Sequence, residues 1–319
     1  MVRVSTTNPP SPPPLPIKKS ANIYGLGSFN NKIAEYWNIA SSLIIQLSKK
    51  HKKIDICLDD VHNKVDPLNG AIENKEIGLM YQYAGITTPF LNNNQYKSVE
   101  FLSFLDKLRM LNLSGKKIRL FGIAPIASLY DPPPSVKIDM SLIQQLFPNE
   151  DLDFAQNYSI NNSKGRTRLE FAFDFVNLIK ATRKNKIVIF AHNDFVKRLR
   201  LGKFTGGTKK KIFKDDFLAI AVTGKKGNIG KNEFRDIGSL SKYIETVLGK
   251  DIYEKKNHIV INSKKYLNNK LSFYREPYLN MHKSNEYENK KNYDYVDGFD
   301  YVINIPDVSS TTDITLEYL

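Results

Sequence analysis

The stretch Lys186-Ile-Val-Ile-Phe-Ala-His192-Asn193-Asp194-Phe195-Val-Lys-Arg198 decides how the rest of the chain is read. Its first half is an unbroken apolar run rich in β-branched residues. A strand with one wet face would alternate apolar and polar residues. This one does not, so it is expected to lie buried on both faces, as strands of parallel sheets do. The run ends at His192-Asn193, two polar side chains where the strand would leave the sheet. Ligands of open α/β sheets bind outside the carboxyl ends of strands. That places His192 and Asn193 at a candidate site.

Working outward, strand and helix signals alternate. Residues 22–25 read as a short strand entering a Gly-rich turn, Gly25-Leu26-Gly27-Ser28. Tyr36, Ile39, Ala40, Leu43 and Leu47 recur at helical spacing and predict a helix over 35–50. Residues 54–58 read as a strand ending at Asp59-Asp60. An amphipathic helix over 99–111 leads through Ser114-Gly115-Lys116-Lys117 into a strand over 118–123. A helix over 169–183 precedes the strand of the opening quotation, and residues 217–223, 259–261 and 301–305 are further β-rich runs. The alternation predicts an α/β fold: a mostly parallel central sheet with helices on both faces.

The chain has 319 residues, enough for one large α/β domain. Residues 1–21 carry Pro-Pro-Ser-Pro-Pro-Pro-Leu-Pro and are expected to be a disordered or polyproline tail. Residues 22–319 are expected to form one domain, broken by Pro132-Pro133-Pro134 and by a mobile polar loop over 280–295. The lone cysteine, Cys57, excludes an internal disulfide framework and fits a reducing compartment. No apolar run approaches the roughly 20 residues of a membrane span, and no secretory signal opens the chain. A cytoplasmic location is the resulting expectation. The net charge is +14, but the lysines are dispersed and no nucleic-acid module is visible, which argues against nucleic acid as partner. Lys209-Lys210-Lys211 and Lys225-Lys226 are read as basic loops offering weak attraction to anionic surfaces.

Several segments together resemble the erythromycin esterase family, with its haem-binding and peptidase relatives. Tyr24-Gly25-Leu26-Gly27-Ser28-Phe29 stands where the family has Gly-Glu-Gly-Thr/Ser-His before a helix. The strand ending in Asp59-Asp60 stands where the family has a strand ending in glutamate. Lys117-Ile-Arg-Leu-Phe-Gly-Ile-Ala124 is similar to an apolar-aromatic-Gly-apolar-Asp strand. Arg168 matches an arginine heading a helix, and His192-Asn193 begins a His-Asn-x-His element. The resemblance spans roughly residues 22–305 and implies an erythromycin-esterase-like fold, in which ionisable groups activate a water against an ester carbonyl.

The departures fall on the ionisable groups. Leu26 stands at the first glutamate, Phe29 at the histidine, Ala124 at the aspartate and Phe195 at the second histidine. Leu and Phe cannot move a proton. His192, Asn193 and Arg168 match, and Asp59 or Asp60 is a shorter stand-in for the second glutamate. Each also has a plain structural reading. His192 can be satisfied by Asn193 or Asp194, the aspartates can cap a helix or loop, Arg168 can pair with Asp59, and Phe29 and Phe195 can be core. His62 beside Asp59-Asp60 is too sparse a ligand set for a metal. No dinucleotide fingerprint, phosphate loop or Gly-x-Ser-x-Gly elbow is present, so no cofactor and no metal is expected.

The sequence thus points to a degenerate esterase-like protein whose cleft binds a peptide, small molecule or partner protein. The alternative is an enzyme with a rebuilt, metal-independent site using His192 with Asp59 or Asp60. Between Ala124 and Arg168 the chain is shorter than the family's esterases, which implies a more open groove suited to an extended peptide or a protein surface.

Overall fold

The computed structural model describes residues 15, 21–30, 32–87, 91, 96–124, 185–196, 216–229, 232–235, 239–263, 274–275, 292–293 and 298–313. The organising element is an eight-stranded sheet. Its strands are β1 (Ile23–Ser28), β2 (Lys53–Val61), β3 (Lys117–Ala124), β4 (Lys186–His192), β5 (Phe217–Ile229), β6 (Asn232–Arg235), β7 (Ile259–Asn262) and β10 (Tyr301–Val308). Their order is β3-β2-β4-β1-β5-β10-β7, with β6 paired to β5 off this path. The pairs among β1 to β5 and the β5–β10 pair are parallel, and β7 and β6 run antiparallel to their neighbours. Two short strands, β8 (Tyr274–Arg275) and β9 (Asn292–Tyr293), form a separate antiparallel pair.

The described helices are α1 (Ala34–Ser48), α2 (His62–Val65), α3 (Pro67–Glu73), α4 (Ile77–Thr87), α5 (Val99–Leu113), α6 (Asn193–Val196), α7 (Ser239–Leu248) and α8 (Lys250–Glu254). On one face of the sheet, Leu26, Ile56, Leu58, Phe190, Ile220 and Ile303 join the core with residues of α1, α3 and α5. An aromatic cluster fills its centre. Trp37 lies 4.8 Å from Phe101, 5.1 Å from Phe104 and 6.1 Å from Phe190, ring centre to ring centre. Tilted and edge-on pairs of this kind add roughly 0.5–1.5 kcal/mol each beyond area burial. The opposite face carries α6 over Gly25 and Gly27. It also carries a buried polar knot. Asn304 Nδ2 donates to Thr223 Oγ1 and Ser241 Oγ, both at 2.9 Å, and the Tyr253 hydroxyl donates to Asn304 Oδ1. The predicted architecture of helices on both faces of a mostly parallel sheet is therefore the one present.

Two local readings need correction. Gly25-Leu26-Gly27-Ser28 is not a turn; it is the body of β1, buried at every position. Glycines suggested a turn, but here they answer to close packing. Lys225 and Lys226 are not in a loop. They extend β5, where Lys225 Nζ meets Glu245 at 2.7 Å and lies 5.1 Å from the Tyr253 ring centre. Of residues 1–21, Leu15 and Ala21 are described, and both are buried. The proline cluster at 132–134, the 169–183 helix, Lys209-Lys210-Lys211 and all of the 280–295 loop except β9 lie outside the described residues.

Candidate functional site

Parallel register brings the carboxyl ends of β2, β4, β1 and β5 side by side. Ser28, the last residue of β1, pairs with His192 of β4 and with Val222 of β5. On the other flank of β4, Leu58 of β2 pairs with Phe190, so Asp59 and Asp60 continue along the strand end beside His192. Chain direction across the sheet changes around β1, since β1 connects outward to β2 and β4 connects across to β5. This is the kind of switch point where open α/β sheets leave a crevice. Of the sequence-predicted residues, Asp59, Asp60, His192 and Asn193 converge on this edge. Ala124 ends β3, Phe195 lies in α6, and Arg168 is outside the described residues.

His192 is half-buried at the edge. Asn193 is fully buried, and its amide serves the backbone: Nδ2 donates to Val222 O at 2.9 Å and Oδ1 accepts from the Val222 N–H at 3.3 Å. The side chain crosses Gly27 closely. A Cβ at position 27 would lie 2.3 Å from Asn193 Oδ1 and 2.6 Å from Val196 Cγ2. Glycine at 27 is thus required by the turn that follows His192.

Asp59 and Asp60 are 8% and 0% exposed. The Asp59 N–H donates to Tyr96 Oη at 2.9 Å, and Tyr36 Oη donates to Leu26 O at 2.8 Å. Burial, reinforced by the Asp59 carboxylate, pushes the Tyr36 hydroxyl well above the usual phenol range. Two core tyrosines therefore tie down backbone groups at the ends of β1 and β2. The Leu26 side chain has no exposure and Phe29 has 7%. Phe29 packs toward Gly224, where a Cβ would come within 3.1 Å of its ring. Both side chains belong to the core beneath the edge.

Ser28 was not a sequence-predicted site residue, because residues 25–28 read as a turn. It is buried, and its hydroxyl donates to Asn30 O and accepts from the Asn30 N–H at 3.3 Å. The signal was a serine two residues before an asparagine, which supports such side-chain turns.

The same end of the sheet is braced by residues 309–313. Helix α1 has no side-chain N-cap; its Ala34 N–H donates instead to Ser309 O at 3.0 Å, and the Ser309 N–H donates to the Glu35 carboxylate at 3.0 and 3.1 Å. The same clasp recurs on α5. Val99 N–H donates to Thr312 O at 2.9 Å, and the Thr312 N–H donates to Glu100 at 3.0 and 3.2 Å. The strap satisfies orphan donors of both helices. Burial pushes the Glu35 carboxyl above its usual range, outweighing these hydrogen bonds. Among the described residues, no three His, Cys, Asp or Glu side chains form a group able to hold a metal ion.

No family model matches the chain, and no curated protein matches it. Solved structures do. A succinoglycan biosynthesis protein aligns over 92% of this chain and 90% of its own, at 13% identity and a TM-score of 0.61. A Bacillus cereus protein aligns over 93% and 91%, at 13% identity and a TM-score of 0.57. The erythromycin esterase EreC, in a histidine-to-asparagine variant in its open conformation, aligns over 93% of each chain at 14% identity and a TM-score of 0.55. At such low identity the likeness defines the fold alone: the chain has an erythromycin-esterase-like α/β fold. Among the described residues no helix is long and apolar enough to cross a membrane.

Proposed function

We propose that this protein is a binding module on an erythromycin-esterase-like fold, with the crevice at the carboxyl ends of β1, β2 and β4 holding a peptide, small molecule or partner protein. The observation that carries the proposal is the burial of Leu26 and Phe29. These positions, where the resembling esterases have ionisable groups, are here apolar core. General acid–base catalysis needs a positioned group that exchanges a proton, and neither residue can supply one. Asn193 holds the backbone of β5. His192, half-buried at the same strand end, is placed to contact an occupant. A structure of the protein with its co-purified or added ligand tests this. An occupant in contact with His192 supports the reading, and an occupant seated elsewhere overturns it.

A second reading rests on a specific arrangement: Ser28, His192 and Asp59-Asp60 stand on adjacent strand ends. That order suits a rebuilt hydrolytic site. Against it, Ser28 is 1% exposed and its hydroxyl is engaged with Asn30.

A further inference from the structure

The amino ends of β2, β3 and β4 lie at the end of the sheet opposite the candidate site. Two loops meet there. One reads Lys49-Lys50-His51-Lys52-Lys53 and the other Ser114-Gly115-Lys116-Lys117. The backbone joins them: the Lys117 N–H donates to Lys52 O at 2.8 Å, and Lys53 and Lys117 are register partners. Lys49, Lys50, Lys52, Lys53 and Lys117 are exposed, and Lys116 is half-buried. Neither loop contains an acid, and among the described residues none of these lysines is in an ion pair. Lys186, in register with Ile54, brings another cation to this end, with its Nζ bound to Ala21 O at 2.7 Å and Asn22 Oδ1 at 2.6 Å.

The acids near this end are outnumbered by the lysines. Asp55 is buried and accepts from Asn185 at 2.9 Å, and Asp216 accepts from Asn22; Glu73, exposed at the end of α3, is the acid left beside the patch, where Ile72 O accepts from Asn112 of α5 at 3.2 Å. Helix dipoles account for part of the pattern, since α1 and α5 both end here and cations favour helix C-termini. They do not account for Lys52, Lys53 and Lys117, which open strands.

The character of the patch distinguishes among anionic partners. Its exposed cations are lysines, compact charges on flexible stems, and neither loop carries an arginine, phenylalanine, tyrosine or tryptophan. Nucleic-acid grooves rely on arginine forks and aromatic stacking. A polybasic lysine cluster fits the diffuse field of an anionic lipid surface. Apolar side chains stand beside it: Leu113, the last residue of α5, is 45% exposed, and Met110, one turn earlier, is 54% exposed. Basic residues flanking exposed apolar ones are what a membrane-interface contact requires. We propose that this end of the sheet docks on an anionic membrane surface, leaving the candidate site facing away from the bilayer.

The test is co-sedimentation of the full chain with vesicles of phosphatidylcholine mixed with phosphatidylserine, beside pure phosphatidylcholine, at low and high salt. The protein is expected to partition onto the mixed vesicles and to be released by salt. The Lys52→Glu/Lys117→Glu variant should bind at least about tenfold more weakly. The Lys255→Glu/Lys256→Glu variant changes net charge equally at exposed positions elsewhere and should stay within about twofold of wild type. Lys49→Glu/Lys50→Glu, at the exposed end of α1, repeats the test should the first pair fail to fold. Equal loss in the control variant, no preference for the anionic vesicles, or patch-dependent binding of an oligonucleotide without vesicle binding would each overturn the proposal.

Discussion

Replacing Gly27 with alanine should damage this fold more than any surface change near the site. Position 27 lies in the fully buried strand β1, beneath the turn that carries His192 and Asn193. The new methyl would sit 2.3 Å from Asn193 Oδ1, 2.6 Å from Val196 Cγ2 and 2.8 Å from Asn193 Cα. Real Cβ atoms do not approach that closely, so α6 must shift. Overpacking of this kind costs roughly 1–3 kcal/mol. Displacing Asn193 also strips Val222 of its amide partners, and each buried backbone group left unpaired costs about 1–3 kcal/mol. The sum, roughly 3–9 kcal/mol, is comparable to much of the 5–15 kcal/mol typical of a folded domain. Urea unfolding followed by circular dichroism measures it. In an Asn193→Ala background, where the nearest contact is gone, Gly27→Ala should cost less, though Val196 remains in the way. A Gly27→Ala protein within about 1 kcal/mol of wild type would refute the close-approach argument and return Gly27 to the role of an ordinary flexible residue.

Other expectations follow from buried titratable groups. Glu35 has its folded value raised above 4.5 by burial, so its contribution to stability is present below that value and lost as pH rises through the folded value. Urea unfolding from about pH 4 to pH 7 should therefore show wild type losing ground to Glu35→Gln as pH rises, and the opposite trend would mean the charge on Glu35 favours the strap. His258 has Nε2 buried without a hydrogen-bond partner among the described residues, and burial holds the imidazole below 6.5. Its contribution is present above 6.5 and lost as pH falls, so His258→Phe should be neutral to stabilising by up to about 1–3 kcal/mol, with a flatter acid limb. A variant destabilised at every pH would show that the ring makes an unrecognised contact. Cys57 is fully buried in β2, and burial pushes its thiol well above the usual range. A thiol reagent should label it only after unfolding, and rapid labelling of the native protein would contradict this.

The sheet was legible because its strands carry short, mostly apolar runs set between helical patterns. The run at 187–191 needed no alternation to be read as a doubly buried strand, and those at 54–58 and 118–123, broken by Asp55 and Arg119, were legible from their β-rich residues and from the helix signals around them. Strand β1 was misread because sequence cannot show that Asn193, far along the chain, lies across Gly27. The full length of β5 was missed for a similar reason. Lys225 and Lys226 look like a solvated loop until α7 and α8 bring Glu245 and Glu254 beside Lys225 and β10 brings Asp307 beside Lys226. The α3 and α4 segments went unread because Asn69 and Gly70, then Gly78 and Gly85, interrupt any clean helical stripe. At the site, the placement of Asp59-Asp60 and His192 at the ends of neighbouring strands was readable from where the apolar runs stop. The clasp of residues 309–313 on α1 and α5 was not, because its carboxylate bonds join residues 274 and 212 positions apart.

The central claim, a fold kept for binding with the esterase chemistry gone, is tested most directly by steady-state hydrolysis. The purified protein and its His192→Ala variant would be assayed side by side on activated esters and macrolactones, with circular dichroism confirming that the variant is folded. The burial of Leu26 and Phe29 predicts equal rates in both, indistinguishable from the uncatalysed background. Turnover well above background in the wild type that disappears in His192→Ala would contradict the account and make His192 the base of a working, rebuilt site.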